Sequence, residues 1–233
     1  MATSDGRINL AGTVVNGSRH FCAFFHNKDE ELRTLLPFIR EGLDAGEKAI
    51  HVICAEIDSE YRARLREAGI DVAAVEKSGQ LDVIAWPNSH LLAGGEFDPA
   101  HALKMIDQVL GAARKQGYRR TRGIGYMDWA LRNQIRAGAL MAYEARLNTI
   151  LKRYDDPIVC SYDLTFASGA VVLDVMRTHP AALIAGVLQH NPYSIPPEQM
   201  LHELRERGEI ASDEQDLPRT SAFETKLNKG EDE

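Results

Sequence analysis

Residues 20–56 read HFCAFFHNKDEELRTLLPFIREGLDAGEKAIHVICAE. An apolar run comes first, then the polar loop FHNKDEE, then leucines and isoleucines at helical spacing, and last a second apolar run that ends at Glu56. This order predicts a strand, a loop, a helix and a strand, as at the nucleotide-binding edge of an α/β protein. A P-loop would read GxxxxGK[ST] here, with bare amides and a lysine around the phosphates. FHNKDEE has no glycine and three acidic side chains, so we expect the layout without its phosphate chemistry.

The same alternation continues along the chain. Strand-like apolar runs occur at 81–86, 121–129, 157–163 and 182–188, with helix-like segments between them, and the run at 121–129 leads into a turn. Apolar strands between helices indicate a parallel sheet that is covered on both faces. We therefore predict an α/β fold of three layers with a mostly parallel central sheet, in which 182–188 is the last strand.

Composition limits the class of protein. The apolar content is 44% and the charged content 26%, which is ordinary for a soluble domain. A net charge of −7 disfavours direct nucleic-acid binding. No apolar run is long enough to span a membrane, and the N-terminus lacks the apolar stretch of a signal peptide. We expect a cytoplasmic protein whose cysteines, Cys22, Cys54 and Cys160, are reduced thiols.

The pattern divides the chain into a folded part and two flanking segments. We expect an N-terminal extension at 1–17, one folded domain at 18–207, and a mobile charged tail at 208–233. The tail is polar and lacks any apolar periodicity.

Several short blocks, in order and at suitable spacing, carry a family resemblance. The blocks are His20-Phe-Cys with Phe25, Leu36-Pro-Phe-Ile, Tyr126-Met-Asp-Trp129, Tyr143-Glu144, Cys160-Ser-Tyr-Asp163, His179-Pro180 and Asn191-Pro-Tyr. Together they resemble the MEDS domain (methanogen/methylotroph, DcmR-type sensory domain) over residues 18 to 200. The resemblance implies a RecA-like fold without the P-loop, and a sensor of small molecules, with hydrocarbon derivatives proposed as ligands.

Two departures from the family pattern affect this expectation. The family commonly carries glutamate where this chain has Tyr126. This chain therefore lacks the acidic side chain at that position. Many members continue into a kinase or DNA-binding module, whereas this sequence stops after the domain. We therefore expect signalling through a separate protein, either a kinase or a transcription regulator.

The candidate ligand-binding residues lie at or near predicted strand ends, where ligands of parallel sheets collect. They are His20, Cys22, Phe25, His26, Glu56, Tyr126, Asp128, Trp129, Tyr162 and Asp163. Their aromatic side chains predict an apolar pocket, with His20 and Asp163 as polar anchors. The alternative is ordinary core packing of these aromatic residues.

Some of the same residues also suit two other chemistries. The spacing H-x-C-x3-H of His20, Cys22 and His26 suits a soft metal, but a strand of about 17–20 Å separates the histidines. We therefore predict no metal ligands and leave the cofactor unknown. Glu56 and Asp128 would lie where a RecA-like ATPase holds its carboxylates, but each also suits a helix cap or a turn.

The sequence thus favours a non-catalytic sensory domain that binds a small molecule and signals through a partner. A residual nucleotide-binding or hydrolysing RecA-like enzyme is one alternative. A metal or thiol redox sensor that uses the three cysteines is the other. Self-association into a homo-oligomer is compatible with all three.

Overall fold

A computed structural model describes residues 7–17, 19–85, 92–93, 96–132 and 135–211. The strands of this part of the chain are β1 (Asn9–Leu10), β2 (Thr13–Val14), β3 (His20–Phe25), β4 (Lys48–Ile53), β5 (Leu81–Ala85), β6 (Leu92–Ala93), β7 (Glu96–Phe97), β8 (Thr121–Tyr126), β9 (Ile158–Asp163), β10 (Ala181–Ile184) and β11 (Val187–His190). The helices are α1 (Lys28–Asp44), α2 (Asp58–Glu67), α3 (Val72–Lys77), α4 (Pro99–Lys115), α5 (Asp128–Arg132), α6 (Ala137–Leu151), α7 (Gly169–Thr178) and α8 (Pro197–Glu206), with a short 3-10 helix at Ala55–Ile57.

A seven-stranded sheet forms the middle layer, in the order β11-β10-β3-β9-β8-β4-β5. Each pairing from β10 to β5 is parallel, and only β11 runs antiparallel to its neighbour. One core, between the sheet and α1 to α3, contains Phe21, Phe25 and Tyr126. The other core, on the opposite face beneath α4 to α8, contains Cys22 and Trp129. The predicted α/β fold with three layers and a mostly parallel sheet is confirmed.

The helix that follows β3 begins where its polar loop supplies a cap. The side chain of Asn27 accepts a hydrogen bond from the Glu30 amide at 2.9 Å, and the Glu30 carboxylate accepts one from the His26 amide at 2.8 Å. These contacts satisfy amide groups that a helix start leaves without partners. The polar loop FHNKDEE therefore acts as a helix start.

The end of the sheet differs from the prediction. Residues 182–188 were expected to form one strand, but that expectation is wrong because the chain reverses at Ala185 and Gly186. Both residues have positive φ, 51° and 74°, as a two-residue hairpin turn requires. The reversal produces β10 and β11 and gives the sheet an antiparallel edge.

The flanking segments are described in part. β1 and β2 form a hairpin within the predicted extension, and Ile8, Leu10 and Val15 around it are buried in the core beneath α1. At the other end, Ile210 is buried, while residues 212–233 lie outside the described residues. Of the described helices, none has the length and apolar character needed to cross a membrane.

Candidate functional site

The carboxyl ends of β3, β8 and β9 converge on Lys28, the first residue of α1. Its ammonium group forms ion pairs with Glu31, at 2.8 Å, and with Asp128. The Ser161 hydroxyl donates a hydrogen bond to Glu31, and the Asp163 amide donates one to Asp128 at 3.3 Å. We call Lys28, Glu31, Asp128 and Ser161 the lysine cluster.

The cation of the lysine cluster is paired within the cluster. Burial lowers the pKa of Lys28, but its two carboxylate partners outweigh burial and raise this pKa. Burial raises the pKa of Glu31, and Lys28 opposes that shift. A lysine that is already paired with two carboxylates has little charge left for a phosphate. The cluster therefore links α1 to α5 by an ion pair and to β9 by a hydrogen bond.

The two carboxylates considered for ATPase-type chemistry do not come together. Asp128 is 2% exposed and contacts Lys28, whereas Glu56 lies exposed on the 3-10 helix. The structure also does not support Glu56 as a cap of α2. The residue at the cap position of that helix is Ile57, and it makes no side-chain hydrogen bond to the helix. Asp163 accepts hydrogen bonds from the amide and hydroxyl of Thr165 and so stabilises the turn after β9.

The predicted aromatic pocket is divided by the sheet. Phe25 and Tyr126 lie in the core beneath α1, where the Tyr126 hydroxyl donates to that of Tyr61 at 3.0 Å. Trp129 and Tyr162 lie in the core on the other face. One pocket lined by these four residues is therefore not formed, because strand alternation and the turn after β8 place them on opposite faces.

Each face has its own cavity. Lys28, Glu31, Tyr61 and Tyr126 line one of about 340 Å³ including its open mouth. The other, of about 580 Å³ including its mouth, lies between β4, β8, β9 and the helices α4 and α6. We call the second one the apolar cavity; it is lined by Ile50, Val52, Ile106, Val109, Leu110, Thr121, Gly123, Ile124, Gly125, Met127, Trp129, Tyr143, Ile158 and Cys160.

His20 and His26 do not converge as the H-x-C-x3-H spacing would require. The His26 side chain is 74% exposed, and that of His20 is 1% exposed. Instead His20 lies beside Glu144 of α6, Cys160 of β9 and His179, the residue after α7. We call His20, Glu144, Cys160 and His179 the histidine cluster.

The histidine cluster is compact and fully buried. One oxygen of Glu144, Oε2, lies 3.2 Å from His20 Nε2, 3.5 Å from His179 Nε2 and 3.5 Å from Cys160 Sγ. His20 Nε2 is also 3.4 Å from Cys160 Sγ. The second Glu144 oxygen accepts a hydrogen bond from the Tyr162 hydroxyl at 2.8 Å.

Outer contacts hold both imidazole rings in place. His20 Nδ1 lies 3.1 Å from Asn148 Oδ1, and Asn148 Nδ2 donates to the Thr178 carbonyl at 2.6 Å. His179 Nδ1 lies 2.8 Å from the Val175 carbonyl. Both rings therefore direct their Nε2 atoms at Glu144.

Burial controls the ionisation of the cluster. It lowers the pKa of His179 to about 3, which leaves that imidazole neutral at pH 7. Burial raises the pKa of Glu144, but the His20 hydrogen bond and the interactions with both histidines outweigh it and lower this pKa. Burial also raises the pKa of Cys160 well above its usual value and that of Cys54 to about 11. The thiols are therefore poor nucleophiles at neutral pH.

Sequence reasoning named His20 but missed its partners. Glu144 was the visible signal, since it is the polar exception in the apolar stripe of α6. Cys160 and His179 gave no local signal of a shared site. Lys28 was also missed, although it stands beside three acidic residues in the first polar loop.

Comparison with known proteins gives matches of two kinds. A model of the family MEDS, the methanogen/methylotroph DcmR sensory domain, matches residues 19–180. The transcriptional repressor DcmR of Methylorubrum extorquens is 25% identical over 174 residues, which cover 74% of this chain and 62% of that protein. The chain thus spans about three fifths of the length of this relative.

A solved structure is also similar. The KaiC-like protein PH0186 of Pyrococcus horikoshii aligns with a TM-score of 0.48 and 17% identity, over 70% of this chain and 69% of that one.

Proposed function

The chain belongs to the MEDS family of sensory domains, and from this premise we propose that it binds a small molecule and passes the signal to a separate regulatory protein. The similarity to a transcriptional repressor supports a role in regulation. The partner would be a kinase or a transcription regulator, and the domain itself would be non-catalytic.

The apolar cavity is the observation that carries this proposal. Gly123 and Gly125 of β8 line it, where Ile158 and Met127 leave little room for a side chain at either position. A methyl group on Gly123 would lie 3.1 Å from Ile158, and one on Gly125 would lie 3.2 Å from the Met127 sulfur. Concave, mostly apolar cavities with few polar groups suit small ligands.

One polar atom indicates the chemistry of the ligand. The Thr121 hydroxyl is buried at the cavity and has no hydrogen-bond partner among the described residues. A buried hydroxyl without a partner is unfavourable, and a ligand with one polar group would relieve that cost. We therefore propose a small hydrocarbon derivative as the ligand.

Some residues that line the apolar cavity also reach the protein surface. Ile106 and Val109 of α4 are only partly buried and lie at the cavity. The Phe97 ring packs at 5.5 Å from the Trp129 ring and 5.7 Å from the Tyr143 ring. A ligand that contacts these residues would favour one arrangement of α4 and Phe97, and a partner protein could bind that arrangement preferentially.

Thermal unfolding with defined probes tests the proposal. The probes are primary alcohols from ethanol to hexanol and the matching chloroalkanes. At a ligand concentration one hundred times its Kd, binding stabilises the protein by about 2.7 kcal/mol. Ile106→Trp should abolish the rise in Tm by filling the cavity, whereas Gln108→Trp, an exposed position on the same helix, should retain it.

Three results would contradict the proposal. One is a wild-type protein whose Tm no probe changes and with which no small molecule copurifies in native mass spectrometry. Another is an equal rise in Tm in the Ile106→Trp variant. The third is saturable heat from ATP and magnesium in calorimetry, which would favour a nucleotide-binding enzyme instead.

A further inference from the structure

We propose that His20, Glu144, Cys160 and His179 bind one divalent transition-metal ion, and that zinc fits them best. These residues combine two imidazoles, a carboxylate and a thiol, whose candidate ligand atoms all lie within 4.8 Å of one another. The proposal stands apart from small-molecule sensing, because metal content can be measured without any ligand for the cavity.

Four of the six distances among the ligand atoms of the histidine cluster are close to the edges of a zinc tetrahedron. Zinc bonds of about 2.0–2.3 Å to nitrogen, oxygen and sulfur give tetrahedral edges of about 3.3–3.8 Å. The four contacts recorded between the ligand atoms are 3.2, 3.4, 3.5 and 3.5 Å. The other two pairs, from His179 Nε2 to His20 Nε2 and to Cys160 Sγ, lie within 4.8 Å. A metal ion at the centre would therefore draw the His179 ring toward these two residues.

The hydrogen bonds around the two rings direct their Nε2 atoms at Glu144. The Asn148 amide nitrogen donates to Thr178, so its oxygen faces His20 and accepts from Nδ1. The Val175 carbonyl likewise accepts from His179 Nδ1. In a neutral imidazole the other nitrogen, Nε2, then carries a lone pair. Donation from the outer nitrogen is the arrangement that metal-bound histidines adopt.

His179 Nε2 is the atom that most needs a metal. It is fully buried, lies 3.5 Å from Glu144 Oε2, and has no hydrogen-bond partner among the described residues. A lone pair that faces a carboxylate oxygen is repelled by it. A proton on His20 would stabilise only the His20–Glu144 contact, whereas a metal ion would bind all four ligand atoms.

Charge and ligand type favour zinc. An ionised Glu144 and an ionised Cys160 carry two negative charges, which a divalent ion neutralises in a fully buried site. Binding requires that the Cys160 thiol lose its proton, which passes to solvent. Sulfur and imidazole ligands in tetrahedral geometry are typical of zinc, and four protein ligands leave no open position for catalysis.

The metal would connect four parts of the domain. His20 begins β3, Cys160 lies in β9, Glu144 belongs to α6, and His179 directly follows α7. Cys160 also lines the apolar cavity, so an occupied metal site would fix one part of its wall.

Metal analysis of the purified full chain tests the proposal. The protein is produced in zinc-supplemented medium and kept reduced without chelator. We expect one equivalent of zinc in the wild type, at least a tenfold loss of zinc affinity in Cys160→Ala and His179→Gln, and full occupancy in Cys22→Ala. Cys22 is an equally buried thiol of the same core, outside the set. Folded wild-type protein without zinc would overturn the proposal, as would unchanged affinity in Cys160→Ala and His179→Gln.

A second measurement decides the question even where a variant fails to fold. Wild-type protein refolded with cobalt(II) should show the charge-transfer absorption of a cobalt–thiolate bond and the intense visible bands of tetrahedral cobalt. Cys22→Ala should give the same spectrum. A spectrum without the thiolate band, or with only the weak bands of octahedral cobalt, would overturn the proposal.

Discussion

The lysine cluster and the histidine cluster both bury carboxylates against the central sheet, but they neutralise them differently. Glu31 and Asp128 share a permanent cation, Lys28. The side chains that the structure records against the Glu144 carboxylate are two histidines, a cysteine and a tyrosine, and none of these carries a permanent positive charge.

This difference separates a structural ion cluster from a set of metal ligands. A buried charge is stable when it is paired and hydrogen-bonded, and costly otherwise. The lysine cluster meets that condition with its own residues. The histidine cluster meets it in full only with an added cation, so its stability should depend on metal.

Metal removal should have the largest effect. With free zinc at one thousand times its Kd, zinc binding at the histidine cluster raises the free energy of unfolding of the protein by about 4 kcal/mol. Denaturant titrations with zinc and with a chelator measure this difference. Chelator should leave Cys160→Ala unaffected, because that variant lacks the thiolate ligand; an equal response of Cys160→Ala and wild type would contradict the comparison.

Lys28→Met should have the next largest effect, because it takes away the permanent cation of the lysine cluster. Loss of one partner from a buried ion pair costs about 3–5 kcal/mol, and we expect about 2 kcal/mol here because the Lys28 side chain is 34% exposed. Urea unfolding measures the change. Lys104→Met, at an exposed position on α4, is the control; equal losses in the two variants would contradict the account.

Tyr162→Phe should cost less, since it deletes one hydrogen bond to Glu144 and leaves the other contacts of the histidine cluster. Hydrogen bonds to charged groups contribute about 1.5–3 kcal/mol, and we expect the lower end of that range. The matched control is Tyr143→Phe, where the recorded contact of the ring is with Phe97. Urea unfolding of both variants decides whether the Tyr162 hydroxyl matters more.

The half-exposed carboxylate of Asp155 should contribute less to stability than the buried carboxylates of the two clusters. Burial raises the pKa of Asp155, but hydrogen bonds from Arg120 and Arg19 outweigh it and lower this pKa below 3.8. Its contribution to stability is therefore present above that value and is lost as the pH falls through the lowered pKa. The Asp155 side chain is 52% exposed, so Asp155→Asn should cost at most about 1 kcal/mol.

Urea midpoints from about pH 6 to about pH 3 measure this effect. The difference between wild type and Asp155→Asn should shrink as the pH falls. A difference that grows toward acid pH would show the sign to be wrong.

Local patterns predicted the layers of the fold but not its last turn. Residues 20–56 carry strand and helix periodicities and a helix cap within one segment, so their order could be predicted from the sequence. The run at 182–188 is apolar throughout, and only the positive φ of Ala185 and Gly186 separates two strands within it. An apolar run alone does not distinguish one buried strand from a hairpin.

The sites show the same limit. His20 and Cys22 stand two positions apart in β3 and so point to the same face, a relation that is local. Cys160 stands 140 positions from His20 and reaches it only through the parallel pairing of β3 with β9. The aromatic pocket failed as a prediction for a related reason, since the faces of Tyr126 and Trp129 depend on the turn between β8 and α5.

X-ray absorption spectroscopy at the zinc edge tests the contrast between the two clusters most directly. The wild-type protein should show one sulfur at about 2.3 Å and three nitrogen or oxygen atoms at about 2.0–2.2 Å from zinc, and Lys28→Met should leave that spectrum unchanged. Zinc bound only by nitrogen and oxygen atoms, or a spectrum that Cys160→Ala does not alter, would contradict the account.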